Sequence, residues 1–479
     1  MEWLSGQIEY WGDQLWTWVM VPVVAILGLY FTVRTGLVQI RFFPQMLRTL
    51  TEPTPKGADG RNQSISAFQA FTVSAASRVG VGNIAGVGTA IVVGGPGAVF
   101  WMWLMAIIGG ASSFIESTLG QAYKVRDKDG FRGGPAYYIQ KGLGSRGFGI
   151  WFAVILIFCF PFAFSSLQAN TIVATVGRTV GVESAGIAWG VGIAVTILTA
   201  LVIFGGIRRI ATITDKLVPI MAGVYLLLGI VIVAINWQHI PGMIAHIIGD
   251  AFTPNAVTGG AIGTVIMAGV KRGMFSNEAG LGSAPNAGAT AAVTHPVKQG
   301  LVQTLGVYFD TLLVCSITAF IILSADPVLQ DAPKGVALTY SSVTGALGAW
   351  SGWLLAAIIF MLAFSSILGN YYYGESNIEF INTNPRLLTA FRVLACAAIL
   401  VGSVATANFV WNLADAIMAL MALTNLIAIA LLSRPAVNLL RDYLAQRSAG
   451  RDPVFTKDRV ELPGEVEFWN SEAEVTGRA

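Results

Sequence analysis

The chain has 479 residues, 54% of them hydrophobic and 11% charged, with a mean hydropathy of +0.67 and a formal charge of +3. Soluble domains carry about 25% charged residues. This composition therefore excludes a soluble protein, points to a polytopic membrane protein, and suggests no nucleic-acid partner.

A helix needs about 20 apolar residues to cross the hydrocarbon core. The first such stretch runs from about Leu15 to Val33, after an acidic N-terminus (Glu2, Glu9, Asp13) that lacks the basic region of a signal peptide. A basic, Pro-rich connection leads to a second span at about Ile65–Val93, the turn Gly94-Gly95-Pro96-Gly97, and a third span at Ala98–Tyr123. Further spans are predicted at about Phe148–Ala174, Ala185–Phe204, Thr214–Ile235, Val257–Ala289, Val297–Leu323, Leu347–Tyr373, Leu387–Ala405 and Phe409–Leu432, which makes eleven. The polar tail from Arg434 onward reads as one helix followed by disorder. Cys159, Cys315 and Cys396 fall in different apolar segments, and His239, His246 and His295 fall in predicted loops; neither set has metal-ligand spacing.

With eleven spans the connections alternate sides. Of the 29 Lys and Arg, 24 then lie on the side of the tail, Arg178 and Lys334 on the other, and Arg78, Lys271 and Arg272 inside the membrane. Cytoplasmic loops are the basic ones, so the N-terminus is expected outside and the C-terminus in the cytoplasm.

Two spans are interrupted. The second carries Arg78-Val79-Gly80-Val81-Gly82-Asn83 and then Gly86 and Gly88; the seventh carries Lys271-Arg272-Gly273 and Phe275-Ser276-Asn277-Glu278-Ala279-Gly280. Each Gly costs a helix about 1 kcal/mol relative to Ala, and unwound backbone survives at membrane depth only inside protein or around a cavity. Setting the first span aside, the breaks open the first and second sets of five spans. An odd number of spans per half inverts the second half, the layout of an inverted-repeat transporter. The expected divisions are residues 1–63 (first helix and basic connection), 64–256 and 257–433 (the two repeats), and 434–479 (tail).

A half-helix N-terminus favours an anion such as a carboxylate, and free carbonyls favour a cation. Gly80 and Gly82 would let a small ligand touch backbone, with Asn83 as a neutral donor and acceptor. The spacing of Gly82 and Gly86 also suits close helix packing. Arg78 is expected either to pair with an intramembrane acid (Glu116, Glu278, Asp310 or Asp415) or to take the place of a second bound cation. Ser276 and Asn277 would cap the second half-helix, Phe275 would close over a substrate, and Lys271 and Arg272 would pair with Glu278 or Asp310 or lie near an aqueous vestibule. Ser365 and Ser366, with Asn370 one turn on, suit sodium or simply bond back to their own helix. Gln168 and Asn170 are further polar candidates, or helix caps. No phosphate loop, metal cluster or catalytic triad is visible, so neither an enzyme nor ATP-driven transport is expected.

Gly94-Gly95-Pro96-Gly97-Ala98-Val99-Phe100-Trp101-Met102-Trp103, Gly82-Asn83-Ile84-Ala85-Gly86-Val87, Gly133-Gly134-Pro135-Ala136-Tyr137-Tyr138 and Phe275-Ser276-Asn277-Glu278-Ala279-Gly280-Leu281-Gly282-Ser283-Ala284-Pro285 resemble signatures of the alanine/glycine:cation symporter family. The resemblance covers nearly the whole transmembrane region. It implies an all-α, leucine-transporter-like inverted-repeat fold in the cell inner membrane and sodium-coupled uptake of a small neutral amino acid, with no organic cofactor. It also implies a sodium site from the carbonyls of Ala76, Val79 and Leu362 and the hydroxyls of Ser365 and Ser366. Gly80 and Gly82 would meet the substrate carboxylate, and Gln168, Phe275, Asn370 and Tyr371 would line the pocket. Arg78 and Val81 depart from the family's usual pattern. Proton coupling through Glu278 or Asp310, or an uncoupled channel or sensor on the same fold, are the competing expectations.

Overall fold

The computed structural model describes residues 2–57, 60–128, 130–252, 261–325, 327–329 and 332–477, almost all of them helical or in short connections. Among the described residues nine helices are long and apolar enough to cross a membrane, and a bent pair makes a tenth span. They are α1 (Ser5–Arg34), the pair α2 (Ala67–Arg78) and α3 (Gly82–Gly94), α4 (Gly97–Ala122), α6 (Arg146–Val180), α7 (Ala185–Ile203), α8 (Gly206–Ile235), α11 (Pro296–Ser324), α12 (Ser351–Ile381), α13 (Pro385–Val404) and α14 (Ala407–Leu431). A hairpin, β1 (Val125–Asp127) and β2 (Gly130–Arg132), and the short helix α5 (Pro135–Leu143) follow α4.

Ten of the eleven expected spans thus have a helix in place. The other, Val257–Ala289, starts outside the described residues. Its described part is two pieces, α9 (Ala261–Asn277) and α10 (Ala284–Thr290), each too short to cross alone.

Several boundaries move outward from the apolar stretches. The helix at the N-terminus begins about ten residues earlier than hydropathy indicates, because its first turns lie on α14 and Trp16 donates to the carbonyl of Asp415. α12 continues past Tyr373 to Ile381, since its polar residues Glu375, Ser376 and Asn377 are buried in protein. His246 lies on a helix, Ile240–Ala251, instead of a loop.

The tail differs most from expectation. A helix is present, α15 (Ser433–Ser448), but the chain beyond it is folded onto the molecule. Phe455, Phe468, Trp469 and Val475 are fully buried, so the few apolar residues of this polar segment all find cover.

α15 docks through His295, which is buried in the connection before α11. Its Nδ1 accepts from Val297 N (3.2 Å), and its Nε2 faces Asp442 of α15 (3.3 Å), with Lys298 and Arg459 nearby. Burial pushes this imidazole down to about 4, against the pull of Asp442. A free histidine titrates near 6.5. The folded state therefore binds fewer protons between those values, and its stability falls as pH drops from about 6.5 towards 4. Protonation would also put a proton on a nitrogen that already accepts a hydrogen bond. The thermal midpoint is expected to fall through that window in the wild type and to fall less in His295→Gln, as scanning fluorimetry at stepped pH would read.

Candidate functional site

The first break begins where α2 ends. Ser66 and Gln69 form a reciprocal cap at the start of α2, so the helix is well nucleated at that end. At its other end Val79 leaves the helical region (φ −81°, ψ 83°), and the axis turns by 50° into α3. The freed amides are met by side chains: Gly80 N donates to Asn83 Oδ1 (2.8 Å), and Val81 N to Gln168 Oε1 of α6 (3.0 Å). The chain then runs through a π-helical turn, Gly82–Gly86, a type of distortion that gathers at functional sites.

The second break lies between α9 and α10. Glu278, Gly280 and Gly282 all take positive φ (58°, 82° and 81°), a region that glycine adopts freely and glutamate does not. Glu116 of α4 accepts from Gly280 N (3.2 Å) and Gly282 N (3.1 Å), and Asn425 of α14 donates to it (2.7 Å). One buried carboxylate thus replaces the helical hydrogen bonds lost at this break.

The two breaks touch. Ser77 Oγ lies 2.7 Å from Glu278 Oε1 and 2.8 Å from Asn370 Oδ1, while Ser283 Oγ donates to Glu278 Oε2 (2.6 Å). Phe275 covers the first break, where a Cβ added to Gly82 would stand 2.8 Å from its ring. Phe164 and Trp411 pack on Phe275 at 4.6 and 5.2 Å between ring centroids.

Of the expected sodium residues, Ala76 and Ser366 meet between α2 and α12, while Leu362 and Ser365 bond each other within α12. Ser366 Oγ donates to Ala76 O (2.9 Å), and Ser365 Oγ to Leu362 O (2.9 Å). The second bond is the return to its own helix, and Ser365 Oγ also lies 3.3 Å from Met221 Sδ of α8. Close approach is possible because Gly369 faces Ser77: a Cβ there would lie 2.8 Å from Ser77 N. Val79 is the adjoining C-cap of α2.

Other expectations are corrected. Arg78 forms no salt bridge within 4 Å among the described residues; its Nη1 donates to Gln303 O (3.0 Å), and its Nε and Nη2 have no hydrogen-bond partner. Lys271 and Arg272 pair with neither Glu278 nor Asp310. Both bind Asp415, and Lys271 also reaches Asp13 of α1 (2.9 Å). Asp310 is instead bound by Asn83 Nδ2 (2.6 Å) and Thr311. Ser276 and Asn277 do not cap α10, whose N-cap is Ser283. Asn277 Oδ1 accepts from Ala279 N (3.0 Å), its Nδ2 donates to Thr311 (3.2 Å), and Ser276 Oγ lies 3.1 Å from Cys315 Sγ. Tyr371 turns away from the breaks; Arg392 Nε donates to its hydroxyl (2.9 Å), which also bonds Glu375. Asn170 closes the end of α13 through Gly402 O and Ala405 O.

Glu116 as the cap of the second break, and Trp411 as the cover of Phe275, were not singled out from the sequence. A carboxylate inside an apolar span was the available signal for Glu116; a lone Trp carries none.

The family model described as the sodium:alanine symporter family matches residues 1–457. The amino-acid carrier protein AlsT of Bacillus subtilis (strain 168) is 47% identical over 462 residues, covering 96% of each chain. The sodium/alanine symporter AgcS of Methanococcus maripaludis is 38% identical over 434 residues, covering 88% of this chain and 94% of that one. Among solved structures, MhsT in complex with L-phenylalanine superposes with a TM-score of 0.55 at 13% identity, covering 80% of this chain and 99% of that one. At that identity the likeness shows the fold.

A Cβ at position 82 would have to displace Phe275, which Phe164 and Trp411 hold in place. Gly82→Ala is expected to lower kcat/KM for amino-acid uptake at least tenfold, ~1.4 kcal/mol of barrier. Gly223→Ala, with nothing within 4 Å of its added carbon, is expected to leave uptake unchanged. Uptake per unit of reconstituted protein measures both.

Proposed function

The chain belongs to the sodium:alanine symporter family, and we propose that it imports a small neutral amino acid such as alanine or glycine together with sodium, by alternating access. It is a cation-coupled amino-acid carrier of the membrane and not an enzyme. The observation that carries the finer reading is the meeting of two helix breaks, linked through Ser77 and Glu278, under one aromatic cover.

The substrate carboxylate takes backbone amides at Gly80 to Gly82, displacing the neutral Gln168 carbonyl from Val81 N. A full negative charge at a half-helix N-terminus gains more there than an amide oxygen does. Asn83, Phe275, Ser276, Asn277 and Asn370 bound the rest of the pocket, and Phe275 over Gly82 limits the side chain it accepts. Sodium sits among the oxygens of Ala76, Val79, Leu362, Ser365 and Ser366, the hard neutral donors that a hard cation prefers. Coupling follows from geometry: ion and substrate share the six residues from Ala76 to Val81. Arg78, with two nitrogens unpartnered, supplies the positive charge of a second cation.

On this reading the segment 257–289 is the eleventh span and opens the second repeat (257–433) as α2–α3 opens the first (64–256). The protein lies in the cell inner membrane, with the N-terminus outside. The tail (434–479) is cytoplasmic, on the side that holds most of the Lys and Arg.

One observation favours proton participation as a second reading. Ser77 Oγ faces both Glu278 Oε1 and Asn370 Oδ1 but has one proton to give. Either the Asn370 amide is turned over, or the Glu278 carboxyl donates.

Alanine uptake into proteoliposomes is expected to accumulate uphill under an inward sodium gradient and not without one. Equal uptake in both, or uptake driven by a pH gradient in sodium-free buffer, rules out sodium as the coupling ion. Ser366→Ala should raise the half-saturating sodium concentration about tenfold, ~1.4 kcal/mol. Arg78→Ala should raise the sodium Hill coefficient above the wild-type value; an unchanged coefficient leaves Arg78 a structural residue.

A further inference from the structure

The family model ends at residue 457, before the most deeply buried part of the tail. That part is built around Lys124, just past the end of α4. The Lys124 ammonium is buried and lies 3.9 Å from the ring centroid of Phe131, 4.4 Å from that of Trp469 and 4.7 Å from that of Phe468. Its one hydrogen bond, to Ala291 O, is long at 3.4 Å. The tail aromatics therefore supply much of what replaces water around this charge. Trp469 holds a left-handed backbone (φ 77°), unfavourable for a bulky residue. Its Nε1 donates to Gln121 O (3.2 Å), and Lys457 N donates to its carbonyl (2.9 Å).

These contacts lead directly to both broken helices. Gln121 Nε2 donates to Gly288 O (2.6 Å) and Ala291 O (2.8 Å), at the end of α10. Ala292 N donates to Ile65 O (3.0 Å), at the residue before the Ser66 cap of α2. The run into α2 is held again from the other side, where Gln63 Nε2 donates to Glu474 O (2.8 Å). Glu474 also pairs with Arg126 (2.8 Å), and Lys141 of α5 pairs with Glu467 (3.3 Å). Phe455 N donates to Thr294 O (2.9 Å). The tail thus crosses the seams between the starts or ends of α2, α4, α5 and α10 on one face.

We propose that residues 453–477 form a cytoplasmic strap that holds the inner halves of both broken helices shut and must loosen for the site to open inward. The proposal rests on the alternating-access reading. The strained Trp469 and the partly exposed ion pairs make the strap weaker than the helices it ties. Trp469 is the release point, because it touches Lys124, Gln121 and Phe455 together.

Hydrogen–deuterium exchange of the full-length protein in lipid nanodiscs tests this without substrate or ion, so a wrong choice of either leaves the readout intact. Trp469→Ala is expected to raise exchange several-fold in residues 64–78 and 284–294 while leaving α7 unchanged. Trp469→Phe, which keeps a ring but loses the bond to Gln121, should give a smaller rise in the same segments. If the tail of Trp469→Ala exchanges freely and residues 64–78 and 284–294 stay protected, the strap does not hold them. If exchange rises throughout, α7 included, in both variants, the tail is a folding element and the proposal also fails.

Discussion

A backbone amide or carbonyl freed from its helix inside a bilayer has no water to turn to, so the protein must supply its partner. Two helices are broken here, and the polar residues of the interior are placed largely by that demand. Gln168 takes Val81 N, Asn83 takes Gly80 N, Asn277 takes Ala279 N, and Glu116 takes Gly280 N and Gly282 N. Each supporting side chain is then supported itself. Asn425 donates to Glu116 and to Gly280 O, and Tyr138 bonds Asn425. The second break is therefore held by a carboxylate fixed from three helices, whereas the first is held by neutral amides that a ligand carboxylate can outcompete. On the proposed function, this asymmetry fits substrate at the first break and support at the second.

Charge is distributed by the same logic. Lys271 and Arg272 of α9 share Asp415, and Asp13 of the helix at the N-terminus gives Lys271 a second partner. Arg272 lies 4.7 Å from the Trp411 ring and 5.8 Å from that of Phe275, and the two rings are 5.2 Å apart, so guanidinium, indole and phenyl ring cluster beside Gly82. Buried ion pairs contribute little net stability but are costly to break singly. The helix at the N-terminus contributes Asp13 to this cluster.

The tail forms a second cluster, aromatic and ionic. A polar segment with scattered Phe and Trp reads as disordered because it lacks enough apolar residues to form its own core. It orders here because Lys124 and Phe131, far away in sequence, provide the rest of the cluster.

Much of this was legible in the amino-acid sequence. Ten of the spans and the two breaks follow from short stretches of chain, since hydropathy and glycine content are local properties. That Gly80, Gly82 and Phe275 lie at the breaks and Ser366 beside them was legible for the same reason: glycines, a hydroxyl and one ring set within or beside interrupted apolar runs. The partners were not. Arg272 bonds an aspartate 143 residues away, Ser77 a glutamate 201 away, and Trp469 a carbonyl 348 away. Which acid takes Arg272, whether Tyr371 faces the breaks or Arg392, and whether the tail is ordered depend on which helices are neighbours. That is decided by packing across the whole bundle, where a buried charge or amide accepts whichever partner the tertiary structure brings within hydrogen-bonding distance.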